Sequence, residues 1–209
     1  MIVEEIMKKK LITLLPDSTI SEAINIMRNN KIRHLPVIDK NNKLLGIVSD
    51  RDLRDASPSI LNTHNEIEYQ TKIESIMTTN LITGSPLDFV EDVAAILYEF
   101  KIGCIPILSM EKLVGIVTET DLLHTFVKIT GAHEPSSHIE LKIIDKPGIL
   151  SQITSVFQER NLNIISVLLY PDKDIKYKIL VIRAQIMNPN QIVSDLITKG
   201  YEVVWPKKI

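Results

Sequence analysis

Two segments of this sequence carry the same small constellation. Gly46-Ile47-Val48-Ser49-Asp50-Arg51-Asp52 and Gly115-Ile116-Val117-Thr118-Glu119-Thr120-Asp121 share a glycine, two apolar residues, a hydroxyl residue and, three positions later, an aspartate. The apolar pair ends a strand, and the hydroxyl residue stands where a helix begins. Free backbone N–H groups and the positive end of the helix dipole suit a phosphate at such a place. An aspartate one turn deeper can accept hydrogen bonds from both hydroxyls of a ribose diol. The plain alternative is a capping box, because Ser/Thr-x-x-Asp is close to the Ser/Thr-x-x-Glu that caps many helices. Two occurrences in the same place of a repeat favour a ligand site, and the two roles are compatible.

The elements that must position these residues form an internal repeat. Met7-Lys8-Lys9-Lys10-Leu11-Ile12-Thr13 and Met77-Thr78-Thr79-Asn80-Leu81-Ile82-Thr83 lie 70 residues apart, and Pro16 with Pro86 and Pro36 with Pro106 keep that offset. Gly46 with Gly115 and Asp52 with Asp121 show an offset of 69, so one residue is lost in a hairpin, where length changes are tolerated. Each unit reads as a short lead-in strand (Leu11–Thr13; Leu81–Thr83), a proline turn, a helix, two strands and a second helix. The first helix carries Ile20, Ala23, Ile24 and Met27 at helical spacing, and Val90, Val93, Ala94 and Leu97 repeat the pattern. The two strands, Leu35–Ile38 and Lys43–Val48, flank the turn-forming Asp39-Lys40-Asn41-Asn42. A β-α-β-β-α unit of this size cannot bury both faces of its sheet alone, so the two should pack as a pseudo-twofold pair. Arg54 to Ile73 joins them, with Asp55-Ala56-Ser57-Pro58-Ser59 reading as a loop.

Residues 1–125 resemble a pair of CBS domains, a Bateman module, in the Leu-Ile-Thr lead-ins, Arg33-His34-Leu35-Pro36-Val37, Cys104-Ile105-Pro106-Ile107 and the two Gly-h-h-(Ser/Thr)-x-x-Asp segments. The resemblance implies clefts for AMP, ADP, ATP, S-adenosylmethionine or a related ligand. It implies that Asp52 and Asp121 hold ribose and that Ser49 and Thr118 approach phosphate. One cleft would join Ser49, Arg51 and Asp52 to Ile82, Thr83, Gly103 and Cys104. The other would join Thr118 and Asp121 to Ile12, Thr13, Arg33 and His34. Arg51 aligns with Thr120, and Arg33-His34 with Gly103-Cys104, so the clefts should differ. A guanidinium at Arg51 would favour an anionic nucleotide there, or it is a plain exposed residue of a first helical turn. His34 reads equally as a half-buried structural histidine, and Cys104 as a small core residue.

Beyond a helix to Thr130 and the linker Ala132–Ser137, the C-terminal third reads as β-α-β-β-α-β, a ferredoxin-like order. Its strands are centred on Ile139–Ile143, Asn163–Tyr170, Ile175–Gln185 and Tyr201–Trp205. One helix runs from Leu150 to about Arg160, and another begins at Asn188-Pro189 with proline at its first position. Asp145-Lys146-Pro147-Gly148-Ile149-Leu150 followed by Asn161-Leu162-Asn163-Ile164 is similar to an ACT domain. That likeness implies an amino-acid site at Pro147, Gly148, Ile149, Leu150 and Asn163 between two copies, or a domain that only dimerises. The expected architecture is therefore α/β (α+β): CBS repeats over 1–60 and 61–130, a linker over 131–137 and an ACT domain over 138–209. The full arrangement is similar to the acetoin-utilisation (AcuB-type) family, through Met1–Glu4, Ile32–Pro36, Ala56–Ile60, Pro86–Val90 and Val203–Pro206. This implies a link to acetoin or butanediol catabolism.

Composition limits the function. The formal net charge is −2 with no basic block, and no recognition-helix unit is evident, which argues against nucleic acid as a partner. The N-terminus lacks a signal-peptide layout, no apolar run reaches the ~20 residues of a membrane span, and Cys104 is the single cysteine, so a cytoplasmic protein is expected. No phosphate-binding Gly-x-x-x-x-Gly-Lys loop, Gly-x-Gly-x-x-Gly or Cys-x-x-Cys is present. His34, His64, His124, His133 and His138 show no metal-ligand spacing, so neither a metal nor a required cofactor is expected. These readings point to a non-enzymatic, homodimeric sensor of an adenine nucleotide or S-adenosylmethionine, with an unidentified protein partner. The alternative is a protein-interaction scaffold with empty clefts that regulates a partner enzyme.

Overall fold

A computed structural model describes residues 1–56 and 70–207. The chain forms two compact units, Met1–Leu123 and His124–Ile209.

In the first unit each repeat is a helix, an antiparallel hairpin and a second helix. Helix α1 (Ile20–Asn30) leads to β1 (His34–Ile38) and β2 (Leu44–Ser49), then α2 (Asp50–Ala56). Helix α3 (Val90–Phe100) leads to β3 (Cys104–Ser109) and β4 (Lys112–Thr118), then α4 (Glu119–Thr130). Thr19 starts α1 through a full capping box: its hydroxyl accepts from Glu22 N–H at 3.2 Å, and the Glu22 carboxylate accepts from Thr19 N–H at 2.9 Å. Lys31 and Lys101 end α1 and α3 in the left-handed region, each at φ 54°, so the stop signal is repeated along with the helix. The β1–β2 turn is held by Asp39, whose carboxylate accepts from Asn41 N–H and Lys43 N–H, both at 2.8 Å.

The lead-in segments depart from the expected strands. Leu11–Thr13 and Leu81–Thr83 join no ladder. Only the following residue pairs: Leu14 bridges Val37 and Gly84 bridges Ile107, both parallel. Pro16 and Pro86, lacking an N–H, turn each chain away before a second bridge can form. Asp55 and Ala56, expected in a loop, instead complete α2, while Ser57–Ser59 lie outside the described residues.

The repeats exchange their opening residues. Ile73 is fully buried in the core of the first repeat, with Leu14, Ile20, Leu35, Val37 and Leu53, and Ile76 and Met77 pack on the same cluster. Val3 is fully buried in the core of the second repeat with Val93, Leu97, Ile105 and Val117, and Ile6 and Met7 join it. Backbone bonds fix the exchange: Ile73 N–H donates to Ser18 O at 2.8 Å, and Val3 N–H donates to Asp88 O at 2.9 Å. Burying an isoleucine stabilises by about 1.5–3 kcal/mol relative to leaving it exposed, so each repeat draws part of its core's stability from the other.

The second unit contains β5 (Ser137–Ile144), α5 (Ile149–Glu159), β6 (Ile164–Pro171), β7 (Tyr177–Ala184), α6 (Asn190–Thr198) and β8 (Glu202–Trp205). The sheet order is β6-β7-β5-β8 with every neighbour antiparallel, the ferredoxin-like arrangement expected. Alternation along β5 and β7 puts Ile139, Leu141, Ile143, Leu180 and Ile182 on the face covered by Ile153, Phe157, Ile192 and Leu196 of the helices. Pro189 stands just before α6, as its N-cap residue, rather than at its first position, and the Asn188 side chain makes a turn into the helix by accepting from Asn190 N–H at 3.0 Å.

Candidate functional site

The duplicated constellation folds as a capping box in both repeats. Asp52 Oδ2 accepts from Ser49 N–H and from Ser49 Oγ–H, each at 2.7 Å, and Asp52 N–H donates back to Ser49 Oγ at 3.2 Å. Asp121 Oδ2 likewise accepts from Thr118 N–H at 2.9 Å and from Thr118 Oγ1–H at 2.6 Å. The boxes differ at the other carboxylate oxygen. Asp121 Oδ1 is reached by Lys8 Nζ at 3.2 Å, whereas among the described residues Asp52 Oδ1 has no partner.

The glycine of each constellation has a steric reason. A Cβ on Gly46 would stand 2.6 Å from Met77 Sδ and 3.0 Å from the Thr78 carbonyl, and one on Gly115 would stand 2.4 Å from Met7 Sδ. Each glycine lets the lead-in of the opposite repeat lie against the strand that carries the hydroxyl residue. Thr78 and Ile47 exchange backbone hydrogen bonds at 2.9 Å, and Lys8 and Ile116 do so at 3.0 and 3.2 Å.

Two clefts of the first unit gather these residues. The larger, about 500 Å³, brings Ser49, Arg51 and Asp52 of the first repeat together with Ile82, Gly103 and Cys104 of the second. Thr83 is not among its lining residues. The smaller, about 150 Å³, brings Ile12, Arg33 and His34 together with Thr118; Thr13 and Asp121 do not line it. Arg33 and His34 line both clefts. The sequence reading did not single out Thr78, Asn80, Lys101 and Glu119 in the larger cleft, or Lys8, Lys10 and Lys31 in the smaller. The 70-residue offset held the signal for six of these, since it sets Lys8 against Thr78, Lys10 against Asn80 and Lys31 against Lys101.

His34 and Cys104 show what the clefts cannot do. Burial lowers the His34 pKa, aided by the charge of Arg33 and opposed by Asp50, Glu119 and Asp52, so the ring is neutral near pH 7. It lies against Gly103, where a Cβ would stand 2.8 Å from Nε2. Cys104 is buried, and burial, then Glu119, pushes its thiol up to about 12, so it is no nucleophile at neutral pH. The lining of the larger cleft includes three cations, Arg33, Arg51 and Lys101, and three carboxylates, Asp50, Asp52 and Glu119.

In the second unit, Pro147 and Gly148 make the turn into α5, with Gly148 at φ 81° and open space where a side chain would stand. Ile149 belongs to the core, Leu150 is exposed, and Asn163 donates through Nδ2 to Gln185 Oε1 at 3.2 Å. Among the described residues no group of three or more His, Cys, Asp or Glu converges to hold a metal ion, and no helix is long and apolar enough to cross a membrane.

Comparison with known proteins agrees with this geometry. The family profile of the CBS domain matches residues 3–59 and 73–128, and that of the ACT domain matches residues 137–198. A CBS domain-containing protein of Dictyostelium discoideum is 34% identical over 142 residues, 65% of this chain and 98% of that protein. A homoserine O-acetyltransferase of Methanococcus vannielii is 37% identical over 125 residues, 59% of this chain but only 24% of that enzyme. Among solved structures, one of Vibrio cholerae described as an acetoin utilization protein (AcuB) is 32% identical with a TM-score of 0.57, covering 66% of this chain and 98% of its own. The CBS domain pair of the protein MJ0100, solved with 5'-methylthioadenosine and S-adenosyl-L-methionine, is 31% identical with a TM-score of 0.54, covering 64% and 98%. CBSX2, solved with AMP, is 27% identical with a TM-score of 0.54, covering 61% and 97%.

Proposed function

Because the chain belongs to the CBS-domain family and carries a C-terminal ACT domain, we propose that it is a regulatory sensor of an adenosine ligand, which it holds in the larger cleft of its first unit. The observation that carries this reading is the cleft itself. A volume of about 500 Å³ lies within the roughly 300–1,000 Å³ usual for small-molecule sites, and it places a carboxylate, a hydroxyl and a guanidinium around apolar walls. In this reading Asp52 takes the ribose diol, Ser49 and Arg51 face the 5' substituent, and Ile82 and Cys104 contact the base. The solved CBS pairs that hold AMP, S-adenosylmethionine and methylthioadenosine support this ligand class. No nucleophile or metal is required of such a protein; the buried, protonated Cys104 is consistent with that.

The regulation acts in acetoin or butanediol use; the shared motifs and the likeness to the Vibrio cholerae protein support this setting. The turn at Pro147–Leu150, with Gly148 opening onto free space and Leu150 exposed, is the place for an amino acid in the ACT domain. A thermal-shift screen of adenine nucleotides, S-adenosylmethionine and amino acids tests both sites. A ligand at 100 times its dissociation constant stabilises by about 2.7 kcal/mol, readily visible as a raised melting temperature. No shift with any adenosine compound would leave the scaffold reading in its place.

The protein acts as a homodimer. Tyr98, Phe100 and Leu123 are exposed on the first unit, and the second leaves Val167 and Leu169 exposed on β6, an edge strand with unpaired backbone groups. Light scattering at micromolar concentration should give twice the chain mass of 23.7 kDa, and a monomer mass rejects the dimer.

A further inference from the structure

The three carboxylates that line the larger cleft are engaged to different degrees. Asp52 is committed through Oδ2 to its box with Ser49. Asp50 and Glu119 are counterparts in the repeat, at an offset of 69, and each is the first residue of its helix. The Asp50 carboxylate meets Arg54 Nη2 at 3.2 Å, one turn along α2. The same offset puts Leu123 where Arg54 would be, so Glu119 finds no cation one turn along α4. Among the described residues no hydrogen bond or ion pair engages the Glu119 carboxylate.

This carboxylate stands toward the end of the cleft that Ser49 and Arg51 border. A Cβ on Gly103 would lie 2.8 Å from His34 Nε2 and 4.0 Å from Glu119 Oε2, so both side chains stand over Gly103. His34 is in turn the cross-strand partner of Ser49 in the β1–β2 hairpin, which brings the two side chains to neighbouring positions on one face. Arg51 lines the same cleft and follows Asp50 in α2. That end of the cleft therefore offers a free carboxylate from the second repeat and a guanidinium from the first. With three cations and three carboxylates, the lining as a whole is balanced and carries no excess of one sign to favour a polyanion. It suits a ligand that carries both signs. A guanidinium matches a carboxylate with two parallel hydrogen bonds, and a carboxylate accepts charge-assisted bonds from an ammonium group.

We infer that Glu119 and Arg51 are the specificity-determining pair of the larger cleft, selecting an adenosine whose 5' tail is a zwitterionic amino acid, with Glu119 on the ammonium and Arg51 on the carboxylate. This rests on the reading of the larger cleft as an adenosine site. S-adenosylmethionine has such a tail, and its sulfonium adds a positive charge that Glu119 also attracts. In 5'-methylthioadenosine the tail and its charges are missing. AMP carries only negative charge at that place, which Glu119 repels.

Titration calorimetry on the full chain tests this with S-adenosylmethionine, 5'-methylthioadenosine and AMP, on wild type, Glu119→Gln and Arg51→Gln. Both residues are exposed, so the variants should melt as wild type does. Wild type should bind S-adenosylmethionine at least about tenfold tighter than 5'-methylthioadenosine, as expected for added charge-assisted bonds. Glu119→Gln and Arg51→Gln should each weaken S-adenosylmethionine about tenfold and change 5'-methylthioadenosine less than about threefold. AMP should bind Glu119→Gln as tightly as wild type or more tightly, because a like charge has gone. The inference is overturned if wild type binds S-adenosylmethionine no tighter than 5'-methylthioadenosine, or if either variant leaves S-adenosylmethionine unchanged. Parallel loss of all three compounds in Glu119→Gln overturns it too, since that marks general damage to the cleft. Failure of the adenosine reading itself shows differently, as no heat from any of the three compounds with wild type.

Discussion

Asp52→Asn should lower the affinity of the larger cleft for its adenosine ligand by roughly 10- to 150-fold and leave folding nearly intact. The two oxygens of Asp52 have separate work. Oδ2 closes the capping box on Ser49, and Oδ1 has no partner among the described residues. An asparagine can keep one oxygen on Ser49 N–H, so the folding cost is a fraction of the ~1 kcal/mol typical of a cap. Its NH₂ then replaces Oδ1 and cannot accept from a ribose hydroxyl. The loss is one charge-assisted hydrogen bond, about 1.5–3 kcal/mol. Asp121→Asn should behave differently, because Asp121 Oδ1 already meets Lys8 and the cleft beside it is smaller. Binding heat and melting temperature, measured together on both variants, decide the matter. Unchanged affinity in Asp52→Asn would reduce the constellation to a helix cap.

Ile73→Ala should destabilise the first unit by about 2–5 kcal/mol, the usual cost of truncating a fully buried isoleucine to alanine. Ile73 belongs by sequence to the opening of the second repeat, yet it is 0% exposed within the core of the first. It also fixes the chain that continues to Met77 and Thr78, which pack on Gly46, and Thr78 lines the larger cleft. Ligand affinity should therefore fall along with stability. Guanidinium denaturation of wild type and variant measures the difference. A loss under about 1 kcal/mol would show that the exchanged segment carries little of the core's stability.

Much of this was legible in the residues. The spacing of Ile20, Ala23 and Met27 and of Val93 and Leu97 located two helices and their buried faces. Alternation at Ile139, Leu141 and Ile143 located a strand with one face in the core. What escaped was tertiary in origin. Leu11–Thr13 reads as a strand because three apolar or β-branched residues satisfy the pattern, but ladder formation depends on a neighbour and on Pro16, which cuts the pairing to a single bridge. The exchange of Val3 and Ile73 leaves no periodic trace, since a one-turn 3-10 helix with one buried residue is too short to show a period. Lys8 and Lys10 were legible as members of the repeat but not as lining residues, which the pairing of Lys8 with Ile116 across the repeats makes them. The pattern Ser/Thr-x-x-Asp could not by itself separate cap from ligand site, because the same atoms serve both.

The most direct test of the sensor reading is a crystal structure of the full chain grown with AMP or S-adenosylmethionine. The account predicts one adenosine moiety in the larger cleft, its ribose hydroxyls within about 2.5–3.0 Å of the Asp52 carboxylate, beside Ile82 and Cys104. Adenosine density elsewhere in the chain, or a larger cleft filled only by solvent at saturating ligand, would contradict it.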